Sequence, residues 1–311
     1  MNKTDYFYPS ADGETAIHAI LWLPEGRPSA VLQIAHGMQE YIDRYDAFAS
    51  WLAEQGIAAA GNDHLGHGQS VTSDEKLGYF AKQDGNACLL KDIHSLQTHM
   101  QELYPGVPYF VLGHSMGSFL IRQYIQLHGE GLSGAVIMGT GTQPAAALSL
   151  GKAVSRLIAV FRGWEYRSQF VYSMAMGSYN KRFQTSGRNN DWLTKDVSIV
   201  EKYNQSPWCS FRFTLNGYYN LFYSIQQAQN QALIEAIPKE LPLLIVSGAD
   251  DPVGSYGKGV QAAWQKYVSA GMKNVRIRLY ENDRHEILNE TDRAEVWEDI
   301  LTWVRETAKV N

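Results

Sequence analysis

Residues 109–120, YFVLGHSMGSFL, carry four apolar residues into a glycine, then a serine in a glycine-flanked turn, then a helical apolar pattern. Gly113-His114-Ser115-Met116-Gly117 fits G-x-S-x-G, and a strand before with a helix after is the context that gives this motif its meaning. A side chain on so tight a turn projects at the C-terminal edge of a sheet. The neighbouring chain then passes close by, which demands small residues at Gly113 and Gly117. The unpaired N–H groups of the new helix point toward any negative charge forming beside Ser115. Those features suit a nucleophile attacking a carbonyl; the bland alternative is a glycine-rich turn with an incidental serine.

A serine hydroxyl is a poor nucleophile at neutral pH and needs a base. On a strand-turn-helix nucleophile the partners follow in the order serine, acid, histidine. Of the nine histidines, only His128 and His285 follow Ser115. His128 ends the helix that Ser115 begins, many residues of helical rise away. His285, in ENDRHEILNE, is therefore the expected base. The acid is sought on the preceding loop, LLIVSGADDPVG, which offers Asp250 and Asp251. The spacing from Gly248 and the resumption at Pro252-Val253 favour Asp251, which would hold the histidine tautomer and stabilise the imidazolium. Asp250 remains the alternative, as a turn former, and Asp283 is read as solvated or locally bonded.

An oxyanion needs donors from two directions. The Met116 N–H is one; the other is expected from an early strand-to-helix loop, where Gly37 turns the chain and leaves the Met38 N–H pointing inward. The run Asp63-His64-Leu65-Gly66-His67 has no common zinc spacing, so His64 and His67 are read as structural. No metal and no organic cofactor are expected.

Positioning such residues calls for a parallel sheet flanked by helices. Short apolar runs at 30–35, 57–61, 109–113, 135–138, 243–247 and 275–280 read as strands. Helical patterns fall at 45–54, 85–103, 116–127, 259–268 and 291–307. Alternating segments at 5–8 and 16–21 around SADGE read as a hairpin leading into the sheet. The alternation breaks over 141–237, which holds 16 of the 37 aromatic residues and is too long for a loop. Phe211, Leu215, Tyr218, Phe222 and Ile225 fall on one helical face there. The expected organisation is an α/β core in two parts, 1–140 and 238–311, with a helical insertion at 141–237.

Composition excludes several classes. Net charge is −5 over 311 residues, which weighs against nucleic acid as a partner. Two cysteines, Cys88 and Cys209, are too few for a disulfide framework. The opening MNKTDYFYPS lacks a charged start followed by an apolar run, and no stretch reaches the ~18 apolar residues of a membrane span. A cytoplasmic protein is the expectation.

Taken together, HGMQEYIDRY from His36, NDHLGHGQS from Asn62, GHSMGS from Gly113, GADDPVG from Gly248 and RHEILNE from Arg284 resemble an α/β-hydrolase. The group is that of monoacylglycerol lipases and bacterial lysophospholipases, similar also to the serine aminopeptidases, and the likeness runs across nearly the whole chain. It implies Ser115, Asp251 and His285 as a triad, Met38 and Met116 as oxyanion donors, and a helical cap with an acyl pocket. The stretch SPWCSFRFTLNGYYNLF from Ser206 resembles a cap helix of the bacterial lysophospholipase-like members. Tyr41 stands where many lipases of the group carry histidine, and Leu65 replaces a frequent arginine. The expected substrate is a small acyl ester, a monoglyceride or lysophospholipid; the rivals are a peptidase or amidase on small N-terminal substrates and a non-catalytic ligand-binding relative. Residues 141–240 carry 11 Lys/Arg against 6 Asp/Glu, so a basic cap could meet anionic lipid through Arg156, Arg162, Arg167, Lys181 or Arg182.

Overall fold

The computed structural model describes residues 1–309, without the side chains of 184–186. Its strands are β1 Asn2–Pro9, β2 Ala16–Leu23, β3 Ala30–Ala35, β4 Ile57–Asn62, β5 Tyr109–His114, β6 Gly134–Met138, β7 Leu243–Gly248 and β8 Val275–Tyr280. They form one sheet in the order β1-β2-β4-β3-β5-β6-β7-β8. The β1–β2 and β2–β4 pairs are antiparallel and every other pair is parallel.

Strands buried on both faces have no reason to alternate polar and apolar residues. Accordingly β3, β4, β5, β6 and β7 are buried at every position and read as continuous apolar runs. At the sheet edge β8 does alternate, turning Arg276 and Arg278 outward. The hairpin turn is fixed by Asp12, whose carboxylate accepts from the Glu14 and Thr15 N–H groups and the Thr15 hydroxyl.

Helices α1 Asp46–Glu54, α2 Gly85–Leu103 and α3 Met116–His128 follow β3, β4 and β5. Between β6 and β7 run α4 Ala145–Arg162, α5 Gln169–Met176, α6 Val197–Gln205, α7 Leu215–Ala228 and α8 Gln231–Ile234, followed after β7 by α9 Lys258–Ser269 and after β8 by α10 Arg293–Ala308. One face of the sheet packs residues of α2, α3 and α9; the other packs α1 and α10, with Phe48, Leu52, Ile300 and Trp303 buried. The α/β expectation holds: the six core strands keep their expected limits to within one residue, while in the hairpin β1 starts three residues earlier and β2 ends two residues later than the alternation suggested.

One detail differs. Phe211 lies outside α7, because the Thr214 hydroxyl accepts from the Gly217 N–H and caps the helix at Leu215. The buried stripe is Leu215, Tyr218, Phe222 and Ile225, while Phe211 stacks on Phe213 with ring centres 6.0 Å apart. Buried amides tie α7 to the core: Asn216 Oδ1 accepts from Phe80 N at 3.0 Å, and Asn220 Oδ1 from Asn86 N at 3.0 Å.

Candidate active site

The turn after β5 forces Ser115 to φ 53° and ψ −118°, a backbone region costly for a residue with a side chain. Such strain persists only where packing over-determines it, and the packing is visible. A Cβ on Gly113 would lie 2.3 Å from the Gly117 carbonyl oxygen, and one on Gly117 only 2.0 Å from that of Ala35. A Cβ on Gly37 would lie 3.0 Å from Ser115 Cβ, so the β3 loop and the serine turn are in contact. The Ser115 N–H donates to Met138 O at 3.0 Å, anchoring the turn to β6.

Ser115, His285, Met38 and Met116 line one cavity of about 250 Å³. Behind it, His285 Nδ1 lies 2.9 Å from Asp251 Oδ2. Asp251 is 0 % exposed and also accepts from Ser247 Oγ at 3.1 Å and Val253 N at 2.8 Å, so its orientation is fixed. That commits Nδ1 of His285 and leaves Nε2 uncommitted. Among the described residues Ser115 and His285 form no hydrogen bond; such contacts often close only around substrate. Neither the Met38 nor the Met116 N–H has a protein acceptor among the described residues.

Asp250 sits apart, its N–H on Asp283 O at 2.9 Å and Oδ1 3.1 Å from Arg182. Asp283 is buried rather than solvated, held 2.5 Å from Lys195 Nζ. Burial pushes its carboxyl up to about 6 against the pull of that lysine. Asp283, Glu290 and Asp292 place oxygens within 4.8 Å of one another, but Lys195 already supplies the cation among them, at 2.5, 3.9 and 3.4 Å.

His64 and His67 are fully buried, packed around His36 at ring distances of 4.2 and 5.1 Å. Burial, followed by the neighbouring imidazoles, drives both well below the usual histidine range, so they are neutral packing residues. Three of the basic residues between β6 and β7 already have partners. Arg167 is tied to the Glu75 carbonyl at 2.9 Å, Arg156 to Tyr219 OH at 2.9 Å, and Arg162 lies 4.2 Å over the Tyr166 ring.

The sequence reading missed a buried ionic network in the wall of the cavity. Glu40 Oε1 lies 3.0 Å from His114 Nδ1 and accepts from Tyr45 OH at 2.9 Å and from the Gly37 N–H. Glu40 Oε2 meets Arg44 at 2.7 Å, and Arg44 grips Glu286 with both terminal nitrogens at 2.8 and 2.7 Å. Burial opposes charge on Glu40, yet the hydrogen bond and charge of His114, then Arg44, hold its carboxyl well below the usual range. Burial likewise opposes charge on His114, and Glu40 overcomes it and raises the imidazole. The only hint in the sequence was the i, i+4 spacing of Glu40 and Arg44.

Residues 26–292 match the family described as Serine aminopeptidase, S33 (Hydrolase_4). A thermostable carboxyl esterase from Bacillus coagulans superposes with a TM-score of 0.91 and 30% identity, covering 99% of both chains. The monoglyceride lipase homolog of monkeypox virus is 26% identical over 93% of this chain and 94% of its own. Monoglyceride lipase of Mus musculus is 25% identical, covering 95% of this chain and 88% of its own. The resemblance to the monoacylglycerol lipase and lysophospholipase group therefore extends through sequence and fold alike. The chain is an enzyme, a hydrolase of the α/β-hydrolase fold, and belongs to the serine aminopeptidase S33 (Hydrolase_4) family.

Proposed function

We propose that this enzyme is a serine carboxylester hydrolase that cleaves monoacyl lipids, monoglycerides or lysophospholipids, through an acyl-enzyme. His285 Nε2 takes the Ser115 proton as Oγ bonds to the ester carbonyl carbon. The Met38 and Met116 N–H groups receive the oxyanion. The ester C–O bond then breaks, and His285 returns the proton to the departing alcohol. A water deprotonated by His285 attacks the acyl-serine, and Ser115 recovers its proton as the carboxylic acid leaves.

The observation that carries this reading is that Ser115 and the Asp251-bound His285 share one cavity whose far walls are Leu148, Leu221, Phe222 and Ile225. Such walls suit a single acyl chain. Recognition of a peptide N-terminus would call for an uncommitted carboxylate. The two that line the cavity, Glu40 and Glu286, are already neutralised by His114 and Arg44, which favours an ester over an amino-terminal peptide.

The reading also takes residues 1–140 and 238–311 as the catalytic core and 141–237 as its cap. The cap meets a lipid surface: Leu150 and Met174 are exposed yet line the cavity, and the nearby α4–α5 segment exposes Leu157, Val160, Phe161 and Phe170. Among the described residues no helix is long and apolar enough to cross a membrane. A panel of aryl esters, monoglycerides, lysophospholipids and small peptides, run with the parent and Ser115→Ala, tests the assignment. Ester turnover that falls at least ~10³-fold in the variant is expected; turnover of peptides alone, binding without turnover, or unchanged ester turnover would overturn it.

A further inference from the structure

The cap delivers a side chain to the catalytic base. The Trp192 and His285 ring centres are 4.8 Å apart with planes inclined 39°, and His114 lies on the base at 4.7 Å. The Trp192 ring is itself backed by Tyr179 at 5.0 Å; its indole N–H donates to Asn190 Oδ1 at 3.4 Å and its backbone N–H to Asn180 Oδ1 at 3.1 Å.

Residues 191–195 are fastened to the loop of the base by a run of hydrogen bonds. The His285 N–H donates to Trp192 O at 3.3 Å and the Glu286 N–H to Leu193 O at 2.7 Å. Thr194 Oγ1 donates to Asn289 O at 3.1 Å and lies 3.0 Å from Glu290 Oε2, which also accepts from Lys195 N at 3.0 Å. Lys195 Nζ reaches Asp283, and Arg284 donates to the Asp191 and Thr194 carbonyls.

We propose that Trp192 is a positioning residue for His285: its indole keeps the imidazole aligned with Asp251, and its π face favours the imidazolium that forms at each proton transfer. The inference rests on His285 being the base. Ring faces carry negative charge density and attract cations, most strongly where water is excluded. Trp192 is buried and lines the catalytic cavity, so it meets that condition. The other groups facing His285 are Asp251 at Nδ1, His114 on the ring, and Glu286 next in the chain, with Glu40, Arg44 and Tyr179 behind these. None of them offers a neutral aromatic face at this distance.

The test compares Trp192→Leu, which keeps apolar bulk, with Trp192→Phe, which keeps a ring, using kcat and KM for a soluble aryl ester across the acid limb of the pH profile. The leucine variant is expected to lose about 2- to 30-fold in kcat, with the limb moved to lower pH, and phenylalanine to restore most of both. Equal leucine and phenylalanine variants, or an unmoved limb, would overturn the inference. Should the leucine variant not fold, Trp192→Met, also apolar and without a ring, takes its place, and a parental kcat with an unmoved limb in that variant overturns the proposal just as well. His285→Ala separates the two levels: if it retains turnover, the base assignment falls; if it is inactive while Trp192→Leu behaves as the parent, only the role of Trp192 falls.

Discussion

His114 Nε2 lies 3.3 Å from the carbonyl oxygen of His285. The second nitrogen of the same ring meets Glu40, so one side chain inside the serine motif joins the base loop to the loop proposed to bind the oxyanion. A ring that donates from both nitrogens is protonated, in keeping with the direction in which Glu40 shifts it.

This bond has a pH signature. A histidine raised above its unfolded value of about 6.5 contributes stability that is fully present below that value and is lost as pH rises through the folded value. His114→Gln should therefore cost most stability in mildly acidic solution, and the gap to the parent should narrow as pH rises. Chemical denaturation of both proteins at several pH values measures it. A gap that widens toward alkaline pH would show that His114 is neutral in the folded enzyme.

Arg44 holds two buried carboxylates, Glu40 and Glu286, and is itself only 10% exposed. Removing one member of a buried ionic group leaves uncompensated charge, at a cost of about 3–5 kcal/mol. Arg44→Met is expected to lose stability on that scale, and the double variant Arg44→Met with Glu286→Gln to recover part of it. Urea unfolding decides the matter, and an Arg44→Met protein as stable as the parent would mean the network carries no net energy.

The α4–α5 face carries Val160 at 74 % and Phe161 at 79 % exposure, beside Arg156 and Arg162. Val160→Ser with Phe161→Ser should weaken binding to anionic vesicles and slow hydrolysis of vesicle-borne substrate, leaving a soluble aryl ester unaffected. Salt should weaken parental binding, because the charged part of the attraction is screened. Co-sedimentation across salt and anionic lipid content provides the readout, and binding indifferent to both would remove the basic residues from the account.

Much of the molecule was written locally. Buried parallel strands announce themselves as apolar runs, and the strand-turn-helix corner at Ser115 with its two glycines is a short-range constraint. The choice of His285 followed from chain order, and Asp251 over Asp250 from a few residues of spacing. What sequence did not disclose arises between segments distant in the chain. The Arg44–Glu286 pair spans 242 positions, and the contact of Trp192 with His285 joins the segment between β6 and β7 to the loop after β8. No periodicity records such pairings, because burial and ionic partnership depend on which surfaces meet when the segment between β6 and β7 packs in the folded chain. Asp283 makes the same point, since only folding brings Lys195 to it and takes both from water. The sequence alone determined the sheet and singled out the residues proposed for catalysis; the tertiary structure decided how they are charged, held and covered, because those properties belong to contacts that exist only in the packed chain.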